Sequence, residues 1–134
     1  MKMSSKARYG LYVAVELAKN YDSGSVVNVA SLSHATGVTE KYLEQIIALM
    51  KKADIVESLR GASGGYKLTK SPDDVSVGRI LRAVEDNLEI VDCLHSGCEN
   101  SQRCVARSLW GKLYDNINSY LDTVSLKQLA EDNV

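Results

Sequence analysis

The chain has 134 residues, of which 45% are hydrophobic and 25% are charged, and its formal net charge is −1. These values are ordinary for one small soluble domain, and the chain contains no internal repeat or low-complexity tract. No segment approaches the roughly 18 consecutive apolar residues of a membrane helix, and the N-terminus lacks the apolar run of a signal peptide. We therefore expect a cytoplasmic protein without a membrane partner, whose thiols stay reduced.

Charge is distributed unevenly along the chain. Residues 1–71 carry 10 Lys and Arg against 6 Asp and Glu, a net charge of +4, whereas residues 72–134 carry 6 against 11, a net charge of −5. A basic first half indicates a polyanionic partner such as nucleic acid. A solvated basic face on an ordinary domain gives a similar imbalance, so charge alone does not decide between the two.

The first half is predicted to form three helices, the last two joined by a tight turn. One helix is expected over residues 6–19 and another over 29–36, and Gly37 follows where a helix commonly ends in a left-handed residue. Thr39 is a suitable N-cap for a third helix, which ends near Ala53. A helix, a glycine turn and a capped helix form the layout of a helix-turn-helix motif.

A glycine-rich hairpin follows the third helix. Two short runs with apolar residues, 55–59 and 66–68, flank the sequence RGASGG, and this pattern predicts two antiparallel strands around a turn. Directly after a helix-turn-helix motif such a hairpin is a wing. We refer to residues 55–68 as the wing.

The second half is predicted to contain a helix, a cysteine segment and a long helix. An apolar stripe marks a helix over residues 77–84, and residues 93–104 hold all three cysteines. A long helix is predicted over residues 105–124, and Ser125 caps a short final helix. Along the long helix, apolar residues recur every three or four positions as in a coiled-coil seam: Trp110, Tyr114, Ile117, Leu121 and Val124, with Leu109, Leu113 and Tyr120 beside them.

Together these elements predict a mostly α-helical fold with a small β-hairpin wing. The expected architecture is a winged helix-turn-helix followed by a long C-terminal dimerisation helix. Residues 1–71 are predicted to form a DNA-binding domain, and residues 72–134 the cysteine loop and the dimerisation helices.

The third helix is predicted to bury Leu43, Ile46, Ile47 and Met50, which recur at helical spacing. Its opposite, outward face suits the reading of DNA. A helix fits the major groove, where side chains near its N-terminus reach base edges. Gln45 can pair with adenine, Glu44 can accept a hydrogen bond from cytosine, and Lys41 can reach guanine or phosphate. An amphipathic helix with a merely solvated face is the equal alternative. The outward residues predicted to contact DNA are Thr39, Lys41, Tyr42, Glu44 and Gln45.

The wing also carries residues that suit a nucleic-acid partner. Gly61 and Gly64 let the backbone approach another molecule closely, and Arg60 can enter a narrow minor groove. Ser63 and backbone amides can hold phosphates. A plain hairpin whose glycines only satisfy turn geometry is the alternative. Further phosphate contacts are predicted near the N-terminus for Ser4, Ser5 and Lys6.

The three cysteines lie in one short polar segment, CLHSGCENSQRC. Cys93, Cys98 and Cys104 are separated by four and five residues, and thiolates are soft ligands for iron–sulfur clusters, zinc or copper(I). Structural zinc sites use tighter pairs and a second pair, which this chain lacks. An iron–sulfur cluster is therefore favoured over three cysteines without a metal.

Several stretches resemble the IscR-like family of winged-helix transcription regulators: YLEQ at residues 42–45, RGASGGYKL in the wing, and the cysteine triplet ahead of LWGKLYDNI. The resemblance covers nearly the whole chain and implies a homodimer that binds a double-stranded DNA operator, mainly as a repressor. It implies a [2Fe–2S] cluster on the three cysteines and control of iron–sulfur assembly genes. The base-contacting positions it implies are Lys41, Glu44, Gln45 and Arg60.

Two departures from the family pattern concern the cluster ligands. The family places five residues between its first two cysteines, where this chain has four. It also places a histidine ligand three residues after the third cysteine, where this chain has Arg107, which has no lone pair to offer. His95 is a candidate fourth ligand, although an exposed loop histidine is an equal reading. Asp92, Glu99 or an exogenous thiol are the other possibilities.

Two other functions are compatible with parts of the sequence. A repressor of the same fold can respond to thiol oxidation or nitric oxide instead of a cluster. An enzyme with Cys93 or Cys98 as nucleophile beside His95 ranks last, because the short polar loop offers neither an oriented base nor a pocket. We therefore expect no enzymatic activity, no catalytic residue and no small-molecule substrate.

Overall fold

A computed structural model describes residues 2–134, so that only Met1 of the predicted domain 1–71 lies outside it. The described chain contains six α-helices, one two-stranded antiparallel hairpin and two single 3-10 turns, which confirms the predicted fold class. The helices are α1 (Ser5–Lys19), α2 (Val29–Thr36), α3 (Glu40–Lys52), α4 (Val77–Val84), α5 (Arg107–Thr123) and α6 (Leu126–Ala130). The strands are β1 (Val56–Leu59) and β2 (Gly65–Leu68), and the 3-10 turns are Pro72–Asp74 and Asp92–Leu94.

The turn between α2 and α3 is fixed by backbone and capping hydrogen bonds. Gly37 adopts a left-handed conformation with φ of 71°, and its N–H donates to the Ser33 carbonyl at 2.9 Å. The hydroxyl of Thr39 then accepts from the N–H of Tyr42 at 3.3 Å. Helix α2 therefore ends at a glycine, which has no Cβ, and helix α3 begins at a residue whose side chain caps it.

The wing is anchored to the chain that precedes α2. β1 and β2 pair in antiparallel register, with Val56 opposite Leu68 and Leu59 opposite Gly65. Val27 and Tyr66 exchange two backbone hydrogen bonds of 2.8 and 2.9 Å. A Cβ at Gly65 would lie 2.7 Å from the Val27 carbonyl oxygen, so the absence of a side chain permits this close approach.

One hydrophobic core joins the two predicted halves of the chain. Helix α1 lies at its centre and packs against α2, α3, α4 and α6. The apolar stripes of α3 and α4 are turned inward as their periodicity requires, whereas on α1 Tyr12 stays exposed while Val13 and Leu17 are buried. The largest fully buried side chains are Leu17, Leu32, Leu43, Ile46, Ile47, Met50, Ile55, Ile80 and Leu126.

Helix α5 is the least buried long element. None of its side chains is buried in the single chain, and Leu109 and Tyr120 are 59% and 60% exposed. Its C-terminal end is held by Arg82 of α4, whose guanidinium donates to Asn118 at 3.1 Å and pairs with Asp122. The core of the single chain therefore covers the apolar side chains of α5 only in part.

The start of α5 differs from the prediction by two residues. Helical geometry begins at Arg107 and not at residue 105, because Ala106 offers no capping side chain and Val105 is 98% exposed. In residues 2–134, none of the helices combines the length and apolarity needed to cross a membrane.

Candidate DNA interface and cysteine loop

Helix α3 presents three polar side chains to solvent beside its buried stripe. Lys41, Glu44 and Gln45 are exposed, whereas Leu43 and Ile46 on the other side of the helix are fully buried. Thr39 is exposed as well, although its hydroxyl caps the helix. The predicted outward residues therefore lie where another molecule can reach them, with one exception.

Tyr42 is that exception. It is half-buried, and its ring packs edge-to-face on Tyr9 of α1 with ring centroids 6.1 Å apart. Tyr9 in turn contacts Tyr12 at 6.0 Å and lies under the guanidinium of Arg8 at 5.7 Å. Tyr42 therefore fixes the first turn of α3 against α1. Sequence periodicity did not reveal this role, because it depends on a side chain from a distant helix.

The N-terminal residues meet the start of α3 and the end of α4. Ser4 caps α1 by accepting from the N–H of Ala7 at 3.0 Å, and its hydroxyl donates to the Glu85 carboxylate. Ser5 is exposed, and Lys6 is half-buried. With Tyr42, Val84, Asp86 and Asn87, these residues surround a cavity of about 420 Å³. The predicted phosphate contacts Ser4, Ser5 and Lys6 thus border the same surface as the start of α3.

The turn of the wing is exposed and shaped by glycine. Arg60, Gly61 and Ser63 are exposed, and Gly64 is half-buried. Gly61 has φ of 111°, and a Cβ at Gly64 would lie 2.2 Å from the Leu59 carbonyl oxygen. Turn geometry alone therefore requires both glycines, so they do not by themselves indicate a ligand. Arg60 has no such structural explanation in residues 2–134.

Helix α3 and the wing are also connected by a polar contact. The ammonium group of Lys51, in the last turn of α3, donates to the hydroxyl of Ser58 on β1 at 3.0 Å. This contact joins the last turn of α3 to the first strand of the wing on the surface of the molecule.

We define the cysteine loop as residues 85–106, between α4 and α5. Cys93 lies on the 3-10 turn Asp92–Leu94 and is half-buried, as is Cys98, whereas Cys104 is exposed. All three thiols are free. Within residues 2–134, no three His, Cys, Asp or Glu side chains are gathered closely enough to hold a metal ion. The donor chemistry fits an iron–sulfur cluster, but the loop of the single chain does not bring its three thiols together.

Arg107 joins the two ends of the cysteine segment. Its guanidinium donates to the carbonyls of Cys93 and Leu94 at 3.2 and 3.3 Å, and its backbone N–H donates to the carbonyl of Cys104 at 3.3 Å. The sequence identified Arg107 only as a residue unable to bind a metal. Its contacts with loop carbonyls left no pattern in the sequence.

His95 is also held by side chains on either side of it. Its Nδ1 pairs with the carboxylate of Glu89, whose side chain is only 12% exposed, and its ring packs on Tyr114 of α5 at 5.4 Å. A carboxylate on one ring nitrogen is a common arrangement for a histidine that binds through the other. Only Nε2 of His95 therefore remains for a ligand.

Residues 3–132 match the Rrf2 family model, which describes iron-dependent transcriptional regulators. The chain belongs to this family. It is 37% identical over 134 residues to the HTH-type transcriptional regulator IscR of Aliivibrio salmonicida, a match that covers 99% of this chain and 79% of the relative. The resemblance to IscR-like regulators is thereby confirmed, and with it the expectation that the chain is not an enzyme.

Solved structures of the family have the same fold. CymR of B. subtilis, described as the global cysteine regulator, gives a TM-score of 0.81 at 34% identity, covering 98% of this chain and 97% of that one. IscR of T. potens gives 0.80 at 34% identity, with coverage of 100% and 89%. The Rrf2 chain is therefore a winged-helix transcription regulator, a class that acts on DNA.

Proposed function

We propose that this Rrf2 chain is a cytoplasmic, homodimeric repressor that binds a specific DNA operator and responds to a [2Fe–2S] cluster. The observation that carries this proposal is the presence of three free thiols in one loop that is tied to the first turn of α5. Soft thiolates are the ligands that such a cluster requires. The resemblance to IscR-like regulators implies iron–sulfur assembly genes as the targets.

In this proposal residues 1–71 contact the operator. Helix α3 enters the major groove, where Lys41, Glu44 and Gln45 meet base edges, while Arg60 of the wing enters the minor groove. Residues 72–134 hold the cysteine loop and the dimerisation helix. The full set of proposed DNA contacts is Ser4, Ser5, Lys6, Thr39, Lys41, Tyr42, Glu44, Gln45, Arg60, Gly61, Ser63 and Gly64.

A second copy of the chain is the proposed partner of α5. Leu109 and Tyr120 stay largely exposed on this helix, and none of its other side chains is buried. Apolar residues at coiled-coil spacing lose water contact when two such helices cross. A dimer also presents two α3 helices, which an operator with two half-sites requires.

Cys93, Cys98 and Cys104 are the proposed cluster ligands. A cluster bound there supplies redox and iron-sensitive chemistry to the loop. Arg107 stays protonated and donates its hydrogens to carbonyls, so it is not the fourth ligand. Nε2 of His95 is the proposed fourth donor, because Glu89 already orients the ring through Nδ1.

The cysteine loop contacts both α1, which packs on α3, and α5, the proposed dimerisation helix. Its first residue, Glu85, accepts from Ser4 at the N-cap of α1, and its Cys93 and Cys104 carbonyls accept from Arg107 of α5. A loop that closes around its thiols would favour one spacing of the two α3 helices over another. The proposed control of DNA affinity is therefore a shift between two arrangements of the dimer.

Anaerobic reconstitution with iron and sulfide tests the cluster. We expect a visible sulfur-to-iron charge-transfer band that disappears in Cys98→Ala and persists in the matched loop variant Ser101→Ala, because the Ser101 hydroxyl makes no hydrogen bond in residues 2–134. A colourless wild-type protein that retains three titratable thiols would contradict the cluster and favour the second candidate below.

A thiol-based or nitric-oxide-responsive repressor is that second candidate. The exposure of Cys104 favours it, since oxidants react first with accessible thiols. The structural similarity to CymR, a global cysteine regulator, favours it as well. In this case Cys104 forms a sulfenic acid or a disulfide, and mass spectrometry after peroxide treatment would detect the added oxygen or the lost hydrogens.

A further inference from the structure

Arg107 makes the longest-range hydrogen bonds of the cysteine segment. Its guanidinium reaches back 14 and 13 residues to the carbonyls of Cys93 and Leu94. The other bonds made by the segment are local: the Ser96 hydroxyl donates to Asp92, and the backbone N–H groups of Leu94, Ser101 and Arg103 donate to Val91, Cys98 and Asn100. Those bonds shape individual turns, whereas Arg107 connects the two ends.

We propose that Arg107 is a positioning residue that holds the first and third cysteines at a fixed separation by clasping the loop to α5. The clasp consists of two guanidinium bonds at the Cys93 turn and one backbone bond at Cys104, all made by one residue. Its biological use rests on the proposed function, whereas the geometry of the thiols is measurable without iron or DNA.

The clasp matters because the three thiols do not converge in the single chain. Gathering them around a metal requires the loop to give up conformational freedom, and a loop with fixed ends has less to lose. Hydrogen bonds from a charged donor to carbonyls are stronger than neutral ones. With Cys93 and Cys104 anchored, the main movement left is that of Cys98 between them.

The charge of Arg107 also acts on metal binding and has to be separated from the clasp. Thiols release their protons when they bind a metal ion, so the bound site gains negative charge that a nearby cation stabilises. Loss of the cation and loss of the clasp therefore both weaken metal binding. A control that removes an equal charge from the same loop, without removing a hydrogen bond, separates the two effects.

Cobalt(II) alone is a suitable probe, since thiolate coordination produces visible absorption in the apo protein. We expect Arg107→Gln to bind Co²⁺ about tenfold more weakly than wild type, as for residues that orient metal ligands. Arg103→Gln is the matched control: it makes the same charge change in the same loop, and the Arg103 side chain has no hydrogen bond in residues 2–134. Its affinity should fall by clearly less than that of Arg107→Gln, because only the charge is lost.

Arg107→Lys tests whether charge without the planar fork suffices. A lysine ammonium is a point donor that does not reproduce the two-carbonyl contact, so we expect Co²⁺ affinity between those of wild type and Arg107→Gln. Circular dichroism establishes that each variant is folded, and a thiol titration of three per chain establishes that its cysteines are reduced. If Arg107→Gln does not fold, the clasp is tested by whether Arg107→Lys loses more Co²⁺ affinity than Arg103→Gln.

Equal Co²⁺ affinity of wild type and Arg107→Gln would overturn the clasp, as would equal losses in Arg107→Gln and Arg103→Gln. Failure of the proposed function shows itself elsewhere, as a wild-type protein that acquires no iron–sulfur absorption on reconstitution. A protein with a working clasp and no cluster would support this inference and contradict the proposed cofactor.

Discussion

Arg60 is the exposed cation of the wing turn, to which the proposed minor-groove contact is assigned. It follows β1 directly, is exposed, and carries a charge on a turn whose glycines are explained by backbone geometry. If it enters a narrow minor groove, Arg60→Ala should cost about 1–3 kcal/mol of operator binding and less of binding to random duplex. Competition binding at fixed salt measures both affinities.

A matched cation separates this role from general attraction to phosphate. Lys127 on α6 is exposed outside α3 and the wing, and its pairing with Asp73 is loose, with 3.7 Å between the charged atoms. Lys127→Ala should leave the ratio of operator to random affinity unchanged. If Arg60→Ala weakened both duplexes equally, the wing would only neutralise phosphate.

For single residues, the sequence predicted burial better than it predicted which side chains contact one another. The spacing of Leu43 and Ile46 was enough to place them in the core, because any helix with that stripe must bury it. Tyr42 was predicted to face outward, yet its ring packs on Tyr9. Periodicity defines a face of a helix, and the neighbouring helix decides which residues at its edge are covered.

Among the elements, α3 depends on its cap. The Thr39 hydroxyl accepts from the N–H of Tyr42 at 3.3 Å, so Thr39→Ala should destabilise the protein by about 1 kcal/mol. Thr39→Ser keeps the accepting oxygen and should retain most of the stability. Urea unfolding measures the difference, and equal losses in the two variants would show that the cap is not the cause.

The elements themselves were largely predictable, and their ends less so. Gly37 and Thr39 carry strong local signals for a helix end and a helix start, and the structure has both. The start of α5 carries no such signal, since Ala106 does not cap it. The pairing of Val27 with Tyr66 joins segments far apart in sequence, and no local pattern encodes it.

In the whole molecule, two features of the described single chain lack a partner: the apolar face of α5 and the set of three thiols. Helix α5 exposes Leu109 and Tyr120, and the three thiols do not converge in residues 2–134. The cysteine spacing and the apolar seam were evident in the sequence, but the position of the loop relative to α5 was not. It depends on Arg107 bonding to carbonyls in an irregular segment, which no periodicity predicts.

Dimerisation and DNA preference are the central claims of the proposed function. A lysine at position 109 would place a charge within the proposed helix crossing, whereas a lysine at Ser119 would lie on an already exposed polar position. We expect Leu109→Lys to be monomeric and to lose operator binding, with Ser119→Lys close to wild type. These variants are the controls for a single titration.

In that titration the protein is added to a labelled duplex from the promoter of its own gene, and fluorescence anisotropy reports binding. Salt is fixed, and unlabelled random duplex is the competitor. We predict two chains bound per site and a preference for the promoter of about a thousandfold or more. Binding of a single chain, or equal competition by random duplex, would contradict the account.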